Sequence, residues 1–80
     1  MIDVTSKKPL RVLKEGSAGP FLEVPYVQLA EVRRVLDANR VGYWVLDSIL
    51  SVNGGPEMAQ IEFGQKGEQA AIQVVLDSVP

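Results

Sequence analysis

Two amphipathic helical stretches with a strand-turn-strand run between them most constrain what this chain can fold into. In the first, Leu29, Val32 and Leu36 share one stripe at about 100° per residue, Val35 flanks it, and Glu31, Arg34 and Asp37 project elsewhere. In the second, from Glu68 to Val79, the stripe is Ile72, Val75, Leu76 and Val79. Between them lies Val41 to Gly64, with a Tyr43-Trp44-Val45 core, a turn at Asn53-Gly54-Gly55-Pro56 and a return run from Met58 to Phe63. Ala59, Ile61 and Phe63 alternate there with Met58, Gln60 and Glu62, the period of a half-buried strand. Val41, Tyr43 and Val45 have one parity and Leu50 and Val52 the other, so a bulge is expected near Asp47-Ser48.

Ahead of the first helix, Pro9-Leu10-Arg11-Val12-Leu13-Lys14 alternates at Leu10 and Val12 and reads as an edge strand. The turn residues Gly16-Ser17-Ala18-Gly19-Pro20 join it to a second strand, Phe21-Leu22-Glu23-Val24. Pro25 suits the first turn of the helix that follows, and Asn39 with Arg40 ends it, Asn39 being the residue that tolerates a left-handed conformation. Residues 1–8 are mixed and polar and read as a flexible tail, leaving residues 9–80 as a single domain.

The element order is therefore ββαββα. The Met58 to Phe63 strand can insert between Phe21 to Val24 and the Tyr43-Trp44-Val45 strand, antiparallel to both, with Leu10 to Lys14 on the vacant edge. This is a split βαβ arrangement, and over residues 20–80 the chain resembles the ferredoxin-like fold. The resemblance implies an α+β two-layer sandwich with both helices on one face of a mostly antiparallel sheet. It departs from the full pattern in having no strand after the second helix. The chain is also similar to small uncharacterised bacterial proteins in which a helix ending in Leu36-Asp37-Ala38-Asn39 runs into an aromatic strand such as Tyr43-Trp44-Val45, a likeness that implies no activity.

With 80 residues, one hydrophobic core is all the chain can build, and a domain this small buries only about 60% of the surface its unfolded chain exposes. It has no Cys and no His, so neither a disulfide nor a Cys/His zinc site supports the core. Residues 1–40 hold seven Lys/Arg against five Asp/Glu, a balance of +2, and residues 41–80 one against five, a balance of −4. That polarity can orient a partner or a second copy, but it makes no basic surface for nucleic acid. No stretch approaches the roughly 18 apolar residues of a membrane span, and no leader pattern opens the chain, so the expected location is cytoplasmic.

If both helices cover one face, parity sends Leu22, Val24, Tyr43, Val45, Ala59, Ile61 and Phe63 towards them. The other face then carries Phe21, Glu23, Trp44, Leu46, Met58, Gln60 and Glu62, an apolar content unusual for the free surface of a small monomer. Trp44 is either a contact anchor on that face or, if the register shifts, a core residue. Glu23 and Glu62 are close neighbours in one register, which could begin an acid/base or divalent-ion site. In another, Glu23 opposes Gln60 and both acids are solvated surface. Gly64-Gln65-Lys66-Gly67 precedes the second helix, where Gly64, Lys66 and Gly67 could hold a small anion or serve only the backbone turn. Arg33 and Arg34 are best explained by local ion pairing with Asp37 and Glu31.

No serine has a histidine to activate it, and no metal or cofactor is expected. The expected function is thus a non-enzymatic interaction or self-association module acting through the uncovered sheet face, as a homo-oligomer or with a protein partner. The alternative is a small regulatory domain for an anionic metabolite.

Overall fold

The computed structural model describes residues 1–17, 19–46 and 54–79. The expected bulge near Asp47-Ser48, the Leu50/Val52 alternation and Asn53 of the expected turn lie outside the described residues. The fold is α+β, a four-stranded antiparallel sheet with two helices. Its elements are β1 (Leu13–Lys14), β2 (Pro20–Pro25), α1 (Leu29–Ala38), β3 (Trp44–Val45), β4 (Met58–Glu62) and α2 (Gln69–Asp77). A 3-10 turn at Tyr26–Gln28 leads into α1.

The strand order is β1-β2-β4-β3, with every neighbouring pair antiparallel. The return strand thus lies between β2 and β3, where the split βαβ arrangement allowed it to insert. Leu22 faces Ile61, which in turn faces Val45, so these residues form one row on one side of the sheet. Leu22, Val24, Ala59, Ile61 and Phe63 are buried in a single cluster with Val32 and Leu36 of α1 and Ile72 and Leu76 of α2. Both helical stripes therefore close on the same sheet face. Leu29, Val35, Val41, Tyr43, Val45 and Val79 pack half-buried around this core.

α1 ends differently from the expectation. Asn39 has φ −99° and Arg40 takes the left-handed conformation at φ 57°. The Arg40 N–H donates to the Asp37 carbonyl at 3.1 Å and the Val41 N–H to the Leu36 carbonyl at 3.0 Å. This is the bonding of a Schellman cap, in which the residue one beyond Asn39 must turn left-handed. Asn39 instead uses its side-chain Nδ2 to donate to the Val35 carbonyl. Because a left-handed non-glycine residue is strained, Arg40→Gly is expected to stabilise the fold by about 0.5–1 kcal/mol, read as a higher urea midpoint at unchanged slope.

The largest departure from the sequence reading is at the N-terminus. Residues 1–8 do not project as a tail: Met1 is buried in the core cluster, and its α-amino group donates to the Leu76 carbonyl near the end of α2. Gln28, the single buried polar residue among those described, accepts from the Val4 N–H through Oε1 and donates to the Ile2 carbonyl through Nε2. Asp3 closes a local turn by accepting from the Thr5 and Ser6 amides. Burial pushes its carboxyl up, and the hydrogen bonds from Thr5 and Ser6 together outweigh this and hold it below its ordinary value.

The edge strand is also shorter than the expected Leu10 to Lys14. Leu10 and Val12 are buried; the Leu10 N–H donates to the Met1 carbonyl at 2.9 Å, beside a bridge between Ile2 and Pro9, while the Leu10 carbonyl and both backbone groups of Val12 pair with side chains of α2. Gln73 accepts from the Val12 N–H at 2.8 Å and donates to the Leu10 carbonyl at 3.0 Å, and Gln69 donates to the Val12 carbonyl at 2.8 Å. A glutamine amide carries the same donor and acceptor as a peptide group, so two of them satisfy this segment as a neighbouring strand would.

Candidate functional site

Each strand of the sheet sends alternate side chains away from the helices, and the register lines these up in rows. Leu13 faces Phe21, Phe21 faces Glu62, and Glu62 faces Trp44, a row that crosses all four strands. Next to it Glu23 faces Gln60, whose carbonyl accepts from the Leu46 N–H, and beyond them Pro25 faces Met58. The structure thus brings Phe21, Glu23, Trp44, Leu46, Met58, Gln60 and Glu62 onto one face, where parity had placed them. Trp44 lies on this outer face, 54% exposed, so of its two readings the core position does not hold.

A Cβ added to Gly64 would lie 3.5 Å from the Trp44 Cζ3 atom and 3.6 Å from Cη2, an ordinary van der Waals separation, so the six-membered ring lies beside the turn that follows β4. Leu13 is 41% exposed and joins the face from β1. The sequence reading had missed it, because Leu10 and Val12 carried the alternation of that segment. The signal was the parity of Leu13 relative to Val12, which the presence of the two flanking charges Arg11 and Lys14 obscured.

The two acids of the face are not cross-strand partners. Glu23 opposes Gln60, and Gln60 Nε2 lies 3.4 Å from Glu62 Oε1, so an amide stands where a carboxylate pair would need a second acid. Among the described residues, no group of three or more potential metal-ligating side chains comes together. No described helix is long and apolar enough to cross a membrane.

The turn ahead of α2 is shaped by close backbone packing. Gly64 has φ 80° and its carbonyl accepts from the Gly67 N–H at 3.0 Å. A Cβ on Gly67 would come within 2.9 Å of Phe63 Cβ. Lys66 is exposed at this turn and Glu68 occupies the N-cap of α2, placing an acid where an anion would bind. Beside the turn runs an open groove of about 430 Å3, with Val41, Phe63, Ile72 and Val75 on its walls and Lys66 and Glu68 at its rim.

Arg33 and Asp37 do not meet in an ion pair. The Tyr43 hydroxyl stands between them, accepting from Arg33 Nε at 3.3 Å and donating to Asp37 Oδ1 at 2.9 Å. The hydrogen bond from Arg33 to Tyr43 raises the guanidinium pKa further above its usual value. The ion pair found among the described residues is a different one, Arg11 with Asp77 at 3.9 Å on the surface. The relay fixes Tyr43 against α1 and so fixes the strand on which Trp44 sits. Compared with known protein families, curated proteins and solved structures, the chain matches none.

Proposed function

We propose that this protein is a non-enzymatic self-association or protein-interaction module, and that the outer face of its sheet is the contact surface. The observation that carries the proposal is the row Leu13, Phe21 and Trp44, extended by Leu46 and Met58, on a face that neither helix covers. A half-exposed tryptophan is the kind of side chain that dominates binding energy, because its large apolar surface is still open to burial. Glu23, Gln60 and Glu62 supply polar groups among the apolar ones, as specific interfaces do. The element order supports the finer reading of a ferredoxin-like sandwich that lacks its last strand. Open sheets of this design commonly meet their partners across the free face.

The test is molar mass in solution by light scattering for the natural chain and for Trp44→Lys. An exposed site tolerates the lysine, so helical content and thermal midpoint should hold while association weakens by at least tenfold, about 1.4 kcal/mol. Undiminished assembly in the variant would remove Trp44 from the contact. A small anionic ligand in the groove beside Lys66 is the second reading. The groove supports it, and the Glu68 carboxylate at the N-cap weighs against it.

A further inference from the structure

β3 ends the sheet, so one side of its backbone faces no strand of the molecule among the described residues. Leu46 donates its N–H to Gln60 of β4 at 2.9 Å. Along an antiparallel strand the N–H and C=O groups of successive residues point to opposite sides. Trp44 and Leu46 therefore turn their backbone groups towards β4, and Tyr43 and Val45 turn theirs outward. Strands that must remain at an edge are blunted by lysine, proline or inward charge. Both edge strands are two residues long, and they differ in charge: β1 ends in Lys14 and is followed by Glu15, as that rule expects. Val41 to Leu46 has no charged residue and no proline.

We infer that the outward edge of β3 pairs with β3 of a second copy of this chain, antiparallel about a two-fold axis at Trp44. This rests on the self-association reading and gives it a geometry. The register is self-complementary: with Trp44 opposite Trp44 of the other copy, Tyr43 of each chain faces Val45 of the other. These are the residues whose backbone groups point outward, and they form the reciprocally hydrogen-bonded pairs. The central position is then a non-hydrogen-bonded pair, where side chains approach most closely, and it is occupied by the two indoles on the outer face.

The groove along this edge leaves room for the incoming strand, about 500 Å3 lined by Arg33, Asp37, Tyr43, Trp44 and Val45 among others. Arg33 and Asp37 carry opposite charges four residues apart on α1. A two-fold copy presents them in reverse order, setting the Arg33 of one chain towards the Asp37 of the other. No like charge enters the paired segment itself.

The test is amide hydrogen exchange by NMR on the full chain, at dilute and concentrated conditions bracketing the association seen by light scattering. The Tyr43 and Val45 amides should exchange at least ~10-fold more slowly in the associated state, and Trp44→Lys should abolish that protection. Association in which the Tyr43 and Val45 amides exchange as fast as in dilute solution overturns the edge pairing and leaves the face reading standing. A monomer at every concentration overturns the edge pairing and the self-association reading, and leaves only a contact with another protein.

Discussion

Gly19→Ala is expected to be among the most damaging single methyl additions the fold can receive. Gly19 has φ 77°, and a Cβ there would lie 2.6 Å from the Gly64 carbonyl oxygen and 2.7 Å from its carbon. Both are backbone atoms and neither can swing aside. The left-handed conformation costs an alanine about 1–2 kcal/mol, and the overpacking adds about 1–3 kcal/mol. A domain of this length has a total margin of roughly 4–12 kcal/mol. A loss near 3 kcal/mol should therefore lower the thermal midpoint by more than about 10 °C, as followed by far-UV circular dichroism. Gly16→Ala separates the two causes. Gly16 has φ 57° with no atom within 4 Å of its added Cβ, so it should show the conformational cost alone, about 1–2 kcal/mol.

Ile61→Ala should cost about 2–5 kcal/mol. Ile61 is fully buried in β4, the strand bonded on both sides, and lies between Leu22 and Val45 beneath the two helices. Removing its side chain forfeits the transfer of three carbons and leaves a cavity that two strands and two helices cannot easily collapse. Urea unfolding should show a lower midpoint at an unchanged slope, the sign of lost stability without a changed native state. Val27→Ala is the matching control, because Val27 is 82% exposed and its truncation should stay within about 0.5 kcal/mol.

Much of this arrangement was legible in the sequence because the relevant signals were periodic. The stripes of α1 and α2 and the alternation from Met58 to Phe63 pointed to Val32, Leu36, Ala59, Ile61, Phe63, Ile72 and Leu76, all of which are buried, while Val75, Tyr43 and Val45 are half-buried. The same parity placed Trp44 on the outer face, but only the pairing with Glu62 separated that position from a core one. What the sequence concealed were contacts made by non-periodic residues. Gln28, Gln69 and Gln73 look like ordinary polar positions on helices, and nothing local marks them as partners for the backbone of residues 2–12. Those amides, with the bond from the Met1 α-amino group to the Leu76 carbonyl, hold down the segment from which Met1 and Val12 enter the core. The left-handed turn fell on Arg40 rather than Asn39 because cap geometry counts positions from the helix end, and that end is set by packing.

The candidate site was legible as a face and not as a chemistry. Glu23 and Glu62 could be read as a pair until the register put Gln60 opposite Glu23. The glycines at 64 and 67 could be read as an anion loop until Glu68 was found at the N-cap and Phe63 packed against Gly67. In both cases the physical cause is the same: the role of a residue with weak intrinsic preference is set by what the fold brings beside it.

The central claim is that Trp44 lies at a surface of self-association, and the chain has no other tryptophan. The most direct measurement is therefore its fluorescence emission maximum across a wide protein concentration range, with molar mass recorded on the same samples. The account predicts a water-exposed emission at high dilution that moves to shorter wavelength in step with the rise in mass. An emission maximum that stays fixed while the mass rises, or a mass that never rises, would contradict it.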